Sequence, residues 1–321
     1  MYARKVIFAL LAALSLSSHA QAQDYPLKPV RMVMPFPAGG GFDLVARIVA
    51  RSLSDRLGQQ FVVDNRTGAG GNIGAEVVAR SAPDGYTLGF LTSGPLANNK
   101  LLYKTMPYDS DKAFAPIVMV GEIPLVFVAH PGVPAKNLAE YLQWVRANPG
   151  KSSVGHAGNG TIGHLALELL KFNARTDLLA VSYKGEAPAM ADVLAGSIQA
   201  ASVPVAAFTP HIQAGKLTAL AVASGARFPG LPNVPTAREQ GVDVEASVWA
   251  AVVAPAGTPK PVVDRLNKEV NAILGSQDVR EKLEQLGVVT IGGAPERVAD
   301  RTAADTAKWK RLISAANLSI E

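Results

Sequence analysis

Bare backbone is the first chemistry this chain offers. Pro35-Phe36-Pro37-Ala38-Gly39-Gly40-Gly41 joins an apolar run to an amphipathic stretch. GAGGNIG (Gly68–Gly74) and Gly158-Asn159-Gly160-Thr161-Ile162-Gly163 stand at similar junctions further on. The first N–H groups of a helix have no intrahelical acceptor, and the helix end carries partial positive charge. Where glycine keeps side chains away, such a turn favours an anion. Charge-assisted hydrogen bonds contribute about 1.5–3 kcal/mol each, so three or four hold one carboxylate at micromolar affinity. The competing reading is that glycines only permit tight strand-to-helix turns. It stays open for Gly68–Gly74, whereas PAGGG and GNGT, in different halves of the chain, point together to binding.

Other chemistries find less support. The chain has no G-x-S-x-G elbow, no H-E-x-x-H and no cysteine, so hydrolase and zinc signatures are missing. His156 and His164 flank one glycine loop, but their spacing is no familiar ligand pattern and no carboxylate accompanies them there. His130 and His211 lie elsewhere. No metal and no catalytic residue is expected. Gly158–Gly163 does match G-x-G-x-x-G between a strand and a helix, with Glu186 at a distance suited to a ribose. That motif supports an alternative: an exported α/β enzyme acting on a small acid, with this loop binding a phosphate or cofactor. A lone match in the second half is a weak signal, and no cofactor is expected.

The elements that must position these loops alternate. Strands are expected at Val30–Phe36, Phe61–Asp64 and Tyr86–Thr92. Between them come a helix capped by Asp43 and stopped by Gly58, and another over Ala75–Ser81. The first helix should bury Leu44, Val45, Ile48, Val49, Leu53 and Leu57. A second unit repeats the pattern. Its extended run Pro116–Pro131 is expected to break at Gly121-Glu122. Helices follow at Asn137–Asn148, Gly163–Asn173 and Ala187–Ala195, with strands at Ser152–His156, Leu178–Tyr183, Ile198–Val203, Leu217–Ser224 and Ala250–Ala254. Three helices close the chain, the last over Pro295–Ala316. Such alternation implies mainly parallel sheets whose C-terminal edges, where ligands sit, face each other across a cleft.

The 321 residues are 48% hydrophobic and 18% charged, an ordinary globular balance. Residues 1–22 read as a signal peptide: Arg4-Lys5, an apolar run from Val6 to Leu16 too short to span a bilayer, and an Ala20-Gln21-Ala22 cleavage site. The mature protein is therefore expected to be exported and soluble. Loss of the leader lowers the formal charge from +5 to +3. The basic cluster Lys308-Trp309-Lys310-Arg311 reads as a solvated helix face, so nucleic acid is not an expected partner.

At these loops the sequence resembles the Bug family, the periplasmic solute-binding receptors of tripartite tricarboxylate transporters. The likeness runs from Tyr25 nearly to the end, through YPLKPVRMVMPFPAGGGFDLVAR, VVDNRTGAGGNIGAEVVA, PDGYTL, MPYD, AGNGTIGHLALELLK, SYKGEAPAMADVLAG, GKLTALAVAS, VPTAREQG and APAGTP. It implies an α/β, type II periplasmic binding protein-like fold: two Rossmann-like lobes around a central cleft, two crossing strands and a C-terminal helical segment. Lobe 1 would comprise 23–122 and 249–321, and lobe 2 would comprise 123–248. The crossings would fall near Gly121–Val128 and Ala246–Val252. The resemblance also implies a small carboxylate ligand, membrane permease subunits as partners, and a monomer. Implied contacts are Phe36, Pro37, Ala38, Gly39 and Gly40 with Ser93 from lobe 1. Lobe 2 would supply Gly158, Asn159, Gly160, Thr161, His164 and Gly185, with Thr161 donating a hydroxyl hydrogen bond. Asp43 and Asp192 read as organisers, since a carboxylate would repel the ligand. Gln199, Val203, Ala250 and Ala251 depart from the family's usual residues. If they face the cleft, its far end is roomier and less polar, suited to a bulky or apolar acid.

Overall fold

A computed structural model of the chain describes residues 25–315. The expected leader, residues 1–22, lies outside them. Strand β1 (Val30–Met34) leads to helix α1 (Gly41–Leu57), β2 (Phe61–Asn65), α2 (Asn72–Ala79) and β3 (Thr87–Thr92). A π-helical turn over Gly94–Asn98 runs into short α3 (Asn99–Leu102), and β4 (Phe114–Ala129) follows. The second lobe adds α4 (Leu138–Ala147), β5 (Ser153–His156), α5 (Ile162–Ala174), β6 (Leu179–Ser182), α6 (Glu186–Ala195), β7 (Ala200–Pro204), α7 (Val205–Gln213) and β8 (Thr218–Val222). The chain returns through β9 (Ser247–Pro255), α8 (Lys260–Gly275), α9 (Gln277–Gln285), β10 (Val289–Thr290) and α10 (Glu296–Ala315).

The strands run in the order β2-β1-β3-β9-β4-β7-β5-β6, with β8 and β10 also pairing with β4. Within each half the strand–helix–strand units are parallel: β1 pairs with β2 and β3, and β5 with β6 and β7. The two long strands β4 and β9 are antiparallel to each other. Residues 114–124 of β4 pair with β9, whereas 125–129 pair with β7 and β8. One strand therefore serves both lobes, and it does not break at Gly121-Glu122. Its pairing shifts register instead, at Pro116/Val118 and Met119/Gly121 against β9 and at Phe127/Val128 against β8.

Two local expectations are corrected. Helix α1 starts at Gly41, with Gly40 in the capping position; Asp43 sits inside the first turn and its carboxylate reaches back to the Gly39 N–H at 2.9 Å. Its buried stripe is Phe42, Val45, Ala46, Val49, Ala50 and Leu53, while Leu44 is 40% exposed. Helix α7 was not expected at all. It begins directly after Pro204 and contains Pro210, and a proline inside a short apolar segment argues against a helix.

Candidate functional site

The C-terminal ends of β1 and β3 in one lobe, and of β5, β6 and β7 in the other, open onto one cavity of about 700 Å³. Among the expected contacts Phe36, Pro37, Ala38, Gly39, Gly40, Ser93, Gly160, Thr161 and Gly185 line it; Gly158, Asn159 and His164 do not. Gly70 also lines it. Its neighbours Gly71 and Gly74 serve packing instead: a Cβ on Gly74 would stand 2.8 Å from the Arg66 carbonyl and 2.9 Å from Pro35 Cα.

The amides of these loops are largely committed within the chain. Gly39 N–H donates to Asp43, Gly160 N–H to His164 Nδ1 at 3.2 Å, Thr161 N–H to the Gly158 carbonyl, and Gly185 N–H to the Ala157 carbonyl. The Thr161 hydroxyl donates to Gly158 O at 2.7 Å and accepts from His164 N–H, so its proton points into the loop rather than the cleft. The N–H groups left over lie one step further on. Gly41 and Phe42 open α1, and Ile162 and Gly163 open α5; all four line the cavity. As first-turn residues they have no intrahelical acceptor, and Gly40 supplies no side-chain cap. Glycine at 163 is required by contact, because a Cβ there would lie 2.5 Å from the Ser202 carbonyl.

Two hydroxyls complete this picture. Ser93, at the head of the π-helical turn, and Ser202, near the end of β7, are fully buried, line the cavity from opposite lobes, and have no hydrogen-bond partner among the described residues. A buried polar atom without a partner costs roughly 1–3 kcal/mol, which a bound acceptor would relieve. Ser202 escaped the sequence reading, although it is the polar residue in an apolar strand ending at the cleft. Gln199, Val203, Ala250 and Ala251 do not line the cavity. Gln199 accepts from Ser153, and the other three are fully buried. The apolar part of the wall comes from Met34, Phe36, Phe42, Ile123, Met190, Leu194 and Val248.

The electrostatics distinguish supporting groups from facing ones. Burial works to raise the Asp43 pKa, but hydrogen bonds from Arg47, Asn65 and Gly39 and the Arg47 charge outweigh it and hold the carboxyl below its usual range. Asp192 accepts from the Tyr183 hydroxyl at 2.6 Å, and its carbonyl accepts from Ser197. The His156 and His164 rings stack with centroids 4.7 Å apart. Burial first, then the ring's neighbour, lowers His156 to about 4; burial and Lys171 do the same for His164. Both are therefore neutral at pH 7 and can accept loop amides. Glu186, the first residue of α6, faces the cavity, and burial pushes its carboxyl up to about 7. Among the described residues, no group of three or more histidines and acids could hold a metal.

Two α/β lobes linked by long strands, with helix N-termini of both aimed at one cleft, define a bilobal solute-binding protein. The chain belongs to the tripartite tricarboxylate transporter receptor family, whose pattern matches residues 45–318. It is 41% identical over 314 residues to the UPF0065 protein in the tcbD-tcbE intergenic region of Pseudomonas sp., covering 97% of this chain and 93% of the relative. To BugT of Bordetella pertussis it is 36% identical over 310 residues, covering 96% and 95%. A solved R. palustris protein with adipate superposes with a TM-score of 0.88 at 36% identity, covering 92% of this chain and 99% of that one. For periplasmic binding protein BugD the values are 0.85, 37%, 92% and 100%. For MatC of Rhodopseudomonas palustris with bound malate they are 0.83, 32%, 90% and 100%. The Bug likeness seen in the sequence is thus borne out, and so is the type of fold it implied.

Proposed function

We propose that this chain is a periplasmic receptor, working as a monomer, that closes its two lobes over a small carboxylate and passes it to membrane permease subunits. The observation that carries the reading is the convergence, in one cavity, of first-turn amides from Gly41, Phe42, Ile162 and Gly163 with the unpartnered hydroxyls of Ser93 and Ser202. Those donors come from both lobes, so an anion that satisfies them all holds the lobes together. Relatives solved with adipate and malate support an acid as the ligand. The apolar wall suits a carboxylate with a hydrocarbon body. No catalytic role is assigned to the Gly158–Gly163 loop, whose Gly160 and Thr161 amides are already bonded within the chain.

A thermal-shift screen of mono-, di- and aromatic carboxylates tests this. A ligand at 100 times its dissociation constant adds about 2.7 kcal/mol of stability. The expected result is a saturable rise in melting temperature with the compound recovered unchanged. Turnover of the compound, or stabilisation only by uncharged solutes, would contradict the proposal.

A further inference from the structure

The cleft is not uniformly suited to anions. Loops 157–161 and 183–186 lie side by side, because β5 and β6 are parallel neighbours and Gly185 N–H donates to the Ala157 carbonyl. β7 flanks β5 on its other side. Glu186 and Ser202 therefore stand on either side of the α5 N-terminus, both lining the cavity. Among the described residues no hydrogen bond or ion pair reaches the half-buried Glu186 carboxyl, and burial is what raises its pKa. The other ionisable groups facing this space are Asp43, which is committed to Arg47, and Lys184 and His211. Among the described residues, no arginine lines the cavity.

A second carboxylate placed beside Glu186 would thus meet an unpaired acid, the one ammonium among the described lining residues being the exposed side chain of Lys184. An amine would meet the acceptor it needs. We propose that Glu186 is a specificity-determining residue that accepts a hydrogen bond from an ammonium group on the ligand, so that this chain prefers amino-substituted monocarboxylates to dicarboxylates. This rests on the carboxylate reading above.

Three acids of equal length separate the ideas: valerate, 5-aminovalerate and glutarate, titrated calorimetrically into the wild-type protein and Glu186→Gln. At pH 8 wild type should bind 5-aminovalerate about tenfold or more tighter than glutarate, as one charge-assisted hydrogen bond allows. Glu186→Gln, nearly isosteric and at a helix start, should erase that preference and improve glutarate binding. Affinity for 5-aminovalerate should rise from pH 6 to pH 8 in wild type and stay level in the variant. Equal or tighter glutarate binding by wild type, or an unchanged ratio in Glu186→Gln, overturns the proposal while leaving the carboxylate reading standing. If none of the three acids binds, the proposed preference falls, and the carboxylate reading is decided by the wider thermal-shift screen.

Discussion

The stacked His156–His164 pair makes stability depend on pH in a calculable way. Both rings accept loop amides and are held neutral, at about 4 against an unfolded value near 6.5. A depressed pKa means the unfolded chain takes up protons first as pH falls. The stabilisation is complete above pH 6.5 and drains away towards pH 4. Between pH 8 and pH 5 each histidine forfeits about 2 kcal/mol, so the pair gives roughly 3–4 kcal/mol once their mutual coupling is allowed for. Urea unfolding from pH 8 to pH 5 measures this directly, with the double variant His156→Asn/His164→Asn as reference. Asparagine places an oxygen close to the position of Nδ1 and does not titrate. The variant loses packing at every pH, so the comparison is between slopes rather than absolute stabilities. Wild type should lose about 3–4 kcal/mol more than the variant over that interval. Equal slopes would refute the argument and show that the rings charge without penalty.

The remaining predictions concern the cleft and its supports. Ser93→Ala and Ser202→Ala each remove a buried hydroxyl without a partner, so the free protein should be as stable or slightly more stable in urea. Ligand affinity, by calorimetry, should fall about tenfold each if the hydroxyls donate to the acid. Gly163→Ala forces a methyl to within 2.5 Å of the Ser202 carbonyl and should cost about 1–3 kcal/mol along with affinity. Gly40→Ala has ordinary backbone angles and its nearest neighbour at 3.7 Å; melting should be unchanged while affinity falls, because the methyl projects at the cavity wall. Asp43→Asn weakens charge-assisted bonds to Arg47 and Gly39 and should cost about 1–3 kcal/mol at pH 7. Because the carboxyl is held below its usual range, that difference should shrink as pH falls below about 4 in denaturation curves.

The glycine loops, their place at strand ends and the two-lobed plan were legible because each has a local cause: apolar runs, a glycine stop at Gly58, tight junctions. What was hidden depends on parity and on neighbours distant in sequence. Along β7 the side chains alternate, so Ser202 and Pro204 face the cavity while Gln199, Ala201 and Val203 turn away. Attention to Gln199 and Val203 was thus one residue out of step. Likewise Val248, not Ala250 or Ala251, is the β9 residue on the cavity wall. The glycines announced free amides, but not that His156, His164 and Asp43 would accept several of them. Glu186 was visible only as a possible ribose ligand; its isolation in the cleft needs the fold.

The place of β9 has a consequence for biogenesis. It inserts between β3 and β4, more than a hundred residues after either, so the first sheet has a gap at its centre until residues 247–255 have been synthesised. Contacts of such long sequence separation form slowly. A nascent chain would therefore remain threadable for most of its synthesis, acquiring a finished first lobe only when nearly all of it has emerged.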